Sequence, residues 1–171
     1  MSKQKSIGTN LESLMDLLSS KDGATRQKAR KSLVALGKPA VPSLTRALRN
    51  SKVDHLRWEA AKTLGAIGDI RAVRPLVKAL EDNDPDVAWV AAEALRIYKR
   101  AAWTPLLHAL AKRGADSVLL RQGAHHVLRN QKGVGFNDVL TTLTKALESG
   151  TVPESTTVAA YNFFERMKTK S

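Results

Sequence analysis

Two tryptophans, Trp58 and Trp89, stand 31 residues apart, each with charged residues at helical spacing. Lys62 follows Trp58 by four, and Glu93 follows Trp89 by four. Positions four apart share one helix face, so each indole has a charged neighbour on its own surface. Aromatic surface among cations supports two kinds of recognition. It can stack nucleobases while Lys and Arg neutralise phosphates, or seat the apolar side chains of a peptide whose acidic residues the cations steer. Lys28, Lys31, Arg96 and Arg129 supply further cations, and Glu59 and Glu93 interrupt them. A catalytic trio of Trp89, Glu93 and Arg129 is a third, weaker reading. The pair His125-His126 invites a metal, but adjacent residues on a helix point about 100° apart and cannot share one ion. No further His or carboxylate lies four residues along, and His55 and His108 are isolated. The chain has no cysteine, which excludes a disulfide, a thiolate zinc site and a thiol nucleophile. No Gly-rich phosphate loop or nucleophile motif is present. Neither a cofactor nor a metal is expected.

The elements that must position these residues are repeats. A small residue and a large apolar one recur four apart as Ala29/Leu33, Ala60/Leu64, Ala91/Leu95, Ala124/Leu128 and Ala159/Phe163. A second pattern recurs between them, as in Leu44-Thr-Arg-Ala-Leu48, Leu76-Val-Lys-Ala-Leu80, Leu106-Leu-His-Ala-Leu110 and Leu143-Thr-Lys-Ala-Leu147, with Leu14-Met-Asp-Leu-Leu18 as the earliest copy. Both are amphipathic helices. The chain therefore reads as five helix pairs, all-α, stacked into a gently curved solenoid, because one pair cannot bury its own apolar face. The Leu-x-x-Ala-Leu helices are expected near 10–19, 38–50, 70–82, 101–113 and 136–148. The Ala-x-x-x-Leu helices are expected near 24–36, 54–67, 86–99, 116–130 and 154–168. The repeats run about 10–37, 38–68, 69–99, 100–132 and 133–168, with residues 1–9 loose. Gly37 and Gly68 mark helix ends, and Pro42, Pro75 and Pro105 sit early in their helices, where a missing N–H costs little. The last copy is aromatic, with Phe136, Tyr161, Phe163 and Phe164, and Phe164 reads as an end cap.

The segment Leu56-Arg-x-x-Ala-Ala-x-x-Leu-Gly-x-Ile-Gly-Asp-x-Arg-Ala-Val-x-Pro-Leu-x-x-Ala-Leu80 resembles the HEAT-like repeat first described in phycobilisome lyases. The resemblance is close over 56–95, recognisable over about 11–131, and weak in the fifth copy. It implies that the Ala-Ala-x-x-Leu helices form the inner, concave row, where such proteins usually bind. On that basis the groove positions are Gln27, Lys31 and Val34; Trp58, Lys62 and Gly65; Trp89, Glu93 and Arg96; Gln122, His126 and Arg129; and Thr157, Tyr161 and Phe164. Trp58 and Trp89 become neighbours in that row. Similar repeats occur in hydroxylases that bind iron through His-Glu dipeptides on the inner helices. Here the matching dipeptides are Gln27-Lys28, Trp58-Glu59, Trp89-Val90 and Gln122-Gly123, so the ligand histidines are missing. DNA glycosylases of similar build use an aspartate where this chain has Glu93. That activity and a chromophore-lyase activity stay at the margin.

The net charge is +12. Residues 1–52 carry 11 Lys/Arg against 3 Asp/Glu, residues 53–110 carry 8 against 8, and residues 111–171 carry 9 against 5. The basic first segment suits an anionic partner, or equally a solvated surface. No apolar run is long enough to span a membrane, and the first ten residues lack the apolar core of a secretory signal. The expected protein is a cytoplasmic, monomeric, non-catalytic module. It holds a segment of another protein, or an acidic peptide, in its concave groove; nucleic acid is the alternative ligand. The candidate binding set is Lys28, Lys31, Trp58, Lys62, Trp89, Glu93, Arg96, Gln122, His126 and Arg129.

Overall fold

The computed structural model describes residues 2–148 and 151–169, with side chains from residue 10 onward. Among them are ten α-helices: α1 Ser2–Leu18, α2 Gly23–Leu36, α3 Val41–Asn50, α4 Asp54–Ile67, α5 Val73–Ala79, α6 Pro85–Ile97, α7 Trp103–Arg113, α8 Val118–Leu128, α9 Asn137–Ala146 and α10 Pro153–Thr169. A short 3₁₀ turn leads into each of α3, α5 and α7. The prolines at 42, 75 and 105 therefore fall in first turns, where no intrahelical bond is lost. Successive helices pair as α1 with α2, α3 with α4 and α5 with α6, and the pairs stack into an α-solenoid. Helix α1 begins well before residue 10. Of the segment expected to be loose, residues 2–9 are helical, an extension that no proline interrupts; Met1 lies outside the described residues.

The two layers of the stack pack unequally. α2, α4, α6 and α8 lie closely side by side, whereas α3, α5 and α7 touch more sparsely. Small residues cause the difference. Ala60, Ala61, Ala91, Ala92 and Ala124 of the inner helices are all buried. Gly65 also belongs here: a Cβ on it would stand 2.7 Å from that of Ala94, so only glycine permits this approach of α4 to α6. Gly65 is thus a packing residue and does not face the groove as expected. The more closely packed row is the one that the family resemblance places along the groove. Leu33, Leu64, Leu95 and Leu128, the repeated leucines, sit in a single core with Leu44, Leu76, Leu80, Leu106 and Leu110 of the outer row.

Three of the inner helices start in the same way, while α4 follows Val53 without a side-chain cap. Asp22, Asp84 and Ser117 accept hydrogen bonds from the backbone N–H three residues on, which caps α2, α6 and α8. Arginines then clamp the preceding loop. Arg26 donates to the carbonyls of Ser20 and Lys21, Arg57 to Ser51, and Arg121 to Gly114 and Ala115. Arg57 also forms a fork on Asp82, with both bonds 2.8 Å.

The last pair departs from the pattern. α10 lies against α7 and α9 instead of continuing the inner row beside α8. It runs antiparallel to α7, with Thr156 near Gly114 and Phe163 on Trp103. The reason is aromatic bulk. Trp103, 1% exposed, takes the place that Val41 and Val73 hold in earlier outer helices, and gathers Phe136 and Phe163 around it. Its indole N–H donates to Gln131 at 2.6 Å. Tyr161 and Phe164 therefore lie off the groove, and Phe164 borders α5 and α7 on the outer side. Phe163 fills the core as expected.

Candidate functional site

Of the two indoles, Trp89 is the exposed one, at 56%, while Trp58 is half-buried against the core. Their helices α4 and α6 adjoin, but the rings do not meet. Trp58 lies beneath the Lys62 ammonium, 4.3 Å from the ring centre, in a cation–π contact. Trp89 reaches the other way, to α8, and packs on His126 with ring centres 4.0 Å apart. The expected tryptophan pair is replaced by a tryptophan–histidine pair, because Trp58 stays over its own helix while Trp89 leans to the next repeat.

His126 is only 6% exposed, and so forms the floor of the groove instead of projecting into it. Its Nε2 is hydrogen-bonded to the Glu93 carboxylate, which also accepts from Arg96 at 3.2 Å. The bond to His126, and then the one from Arg96, hold the Glu93 carboxyl below the ordinary carboxylate range. Lys31, Lys62, Glu93 and His126 are equivalent positions of four successive repeats, so a row that opens with two cations ends in a bonded acid–imidazole pair. Glu59 does not interrupt the positive groove as expected. It is buried, and Arg26 and Arg30 of α2 satisfy it at 3.3 and 2.5 Å.

Two clefts flank this pair. One, of about 280 Å³, is apolar: Trp89, Leu80, Pro85, Ala92, Leu119 and Gln122 form its walls. The other, of about 580 Å³, lies past Glu93 and holds Arg96, Lys99, Arg129 and Lys132. Six of the ten candidate residues thus converge on α6 and α8: Trp89, Glu93, Arg96, Gln122, His126 and Arg129. Lys28, Lys31, Trp58 and Lys62 belong to α2 and α4 and line neither of these two clefts. Lys99 and Lys132 were missing from the sequence-based set. Lys99 holds a positive φ of 50°, in the place that Gly37 and Gly68 hold at steps of 31 residues. That spacing was the available signal. Among the described residues, no group of three or more His, Asp or Glu side chains is placed to hold a metal ion, and no helix is long and apolar enough to cross a membrane.

The family model for HEAT repeats matches residues 11–96. The chain is also similar to the phycocyanobilin lyase subunit alpha of Picosynechococcus sp. (strain ATCC 27264 / PCC 7002 / PR-6), with 34% identity over 79 residues. Those residues are 46% of this chain and 30% of that protein, so the chain spans under a third of the relative it matches.

Proposed function

The chain belongs to the HEAT-repeat family, and from that premise we propose that it is a binding module that performs no reaction of its own and seats an acidic, amphipathic segment of another protein across α6 and α8. One observation carries the reading: an exposed tryptophan walls an apolar cleft that opens beside a cluster of cations. A segment with a large apolar residue would bury it against Trp89, Leu119 and Leu80, and the flanking acidic residues would meet Arg96 and Arg129. Buried aromatic anchors with a charged rim are the usual energetic plan of such interfaces.

Selection from a random peptide library tests this. The expected winners pair a bulky apolar residue with acidic neighbours. Trp89→Ala weakens their binding by about 2 kcal/mol or more, roughly thirtyfold, with helicity unchanged. Unchanged binding to that variant would refute the site. Titration with a single-stranded oligonucleotide at about 50 and 200 mM salt addresses the nucleic-acid alternative, for which affinity must fall steeply with salt.

The likeness to a lyase subunit favours a second reading, in which an anionic planar chromophore uses the same surface. Trp89 would face its rings, and Arg96 and Arg129 its carboxylates. An absorbance titration with phycocyanobilin, run on the native protein and on Trp89→Ala, separates this from the peptide reading.

A further inference from the structure

Each of four inner helices is followed by a residue of positive φ: Gly37 at 69°, Gly68 at 70°, Lys99 at 50° and Asn130 at 65°. The four stand at equal steps of 31 residues. The turn needs a left-handed residue, and the first two repeats meet the need with glycine, which has no Cβ to strain. Asparagine tolerates the region. Lysine does so only under strain, and glycine would serve the turn as well. Strain that the fold does not require marks a side chain kept for another task. Lys99 lines the basic cleft together with Arg96, Arg129 and Lys132.

The charges there are out of balance. Four cations face one carboxylate, Glu93, which His126 and Arg96 already occupy. Among the described residues, Lys99, Arg129 and Lys132 have no ion pair. A single carboxylate ligand would leave the cleft positive, whereas a phosphate monoester brings nearly two negative charges and three strong acceptor oxygens. Two guanidinium forks suit its oxygens. A continuous diester backbone fits less well, because Glu93 stands between these cations and the Lys31–Lys62 row.

We propose that this cleft binds a phosphate monoester dianion, borne by a phosphorylated side chain of the partner segment whose apolar neighbour enters the Trp89 cleft. The source of the phosphate rests on the binding-module reading; the anion site itself does not.

Amide NMR titrations test both parts. The probes are inorganic phosphate, a short leucine-flanked phosphoserine peptide, its unphosphorylated twin, and a single-stranded oligonucleotide. Inorganic phosphate should give saturable shifts at residues 96–99 and 129–132. The phosphopeptide should bind about tenfold more tightly than its twin. Arg129→Ala with Lys132→Ala, both exposed positions, should abolish the phosphate response while helicity persists. Lys99→Gly should raise the melting temperature by about 2–4 °C and weaken phosphate binding several-fold. Lys99→Gly with unchanged phosphate binding overturns the role of Lys99, and shifts that never saturate overturn the site. Phosphate binding with no gain from the peptide keeps the anion site and overturns its phosphopeptide source. Peptide binding that depends on Trp89 but ignores phosphate overturns the anion site and leaves the module reading standing. An oligonucleotide that binds more tightly than the phosphopeptide overturns the monoester assignment.

Discussion

At Asp69, one carboxylate accepts three bonds from a single neighbour: the Arg71 backbone N–H at 3.0 Å and its guanidinium at 2.8 and 2.9 Å. The guanidinium bond comes first among the causes that bring the Asp69 carboxyl from 3.8 to about 2. A carboxyl depressed in the folded state adds stability that is complete above its unfolded value and is lost as pH falls toward the folded one. The protein should therefore lose this contribution between about pH 4 and pH 2. Asp69→Asn should lower the melting temperature at pH 7 and flatten its pH dependence across that window; an unchanged slope would contradict the assignment. Glu93 contributes in the same sense, held below the ordinary range by His126 and Arg96. Tyr98 works at the other end of the scale. Burial pushes its hydroxyl up to about 12, and it donates to the Leu64 carbonyl at 2.8 Å. At this scale the sequence told residue types and not their partners. The spacing of Trp58 and Trp89 read as a stacked pair, yet helix periodicity fixes only which face a side chain leaves. It leaves open whether an indole leans to its own helix, as at Trp58, or to the next, as at Trp89.

Elements are joined by two devices of opposite character, close backbone approach and buried charge. At Gly65 the inner helices come together over Ala94. Gly65→Ala improves local helix propensity by about 1 kcal/mol, but overpacking costs about 1–3 kcal/mol. The clash wins, and thermal unfolding should show net destabilisation. At Arg57 a guanidinium only 8% exposed bridges Asp54, Asp82 and the Ser51 carbonyl. Arg57→Ala leaves Asp82 buried without its cation, which should cost about 3–5 kcal/mol in urea unfolding. A loss under about 1 kcal/mol would mean that water replaces the clamp. Helix positions were the most legible part of the chain, because a 3.6-residue period repeats along it, punctuated by Gly37 and Gly68 and by the prolines at 42, 75 and 105. The loop arginines were less so: Arg26, Arg57 and Arg121 share a register, but Ala88 breaks it in the third copy, and their target is backbone.

Across the whole molecule, stability in a repeat stack is the sum of each pair and its contacts with the next. The terminal contacts here are unlike the others. Trp103, Phe136 and Phe163 form one buried aromatic group that ties α7, α10 and the start of α9 together. Trp103→Ala should cost about 3–5 kcal/mol. By hydrogen exchange, it should loosen α9 and α10 before α2 and α4. Uniform loosening would mean that the stack unfolds as a single unit. The regular repeats were readable from their agreement with one another. The fifth was not, since its leucine positions still matched while one tryptophan upstream, where earlier copies have valine, changed which helix α10 could reach.

That rerouting restricts how such a chain can lengthen. With α10 antiparallel to α7 and packed on α9, a further regular unit would meet those two helices instead of an inner helix in register with its own. A duplication of one 31-residue unit upstream of Trp103 would meet matched neighbours on both sides. In this architecture an added regular unit is matched on both sides only where it falls among the regular repeats.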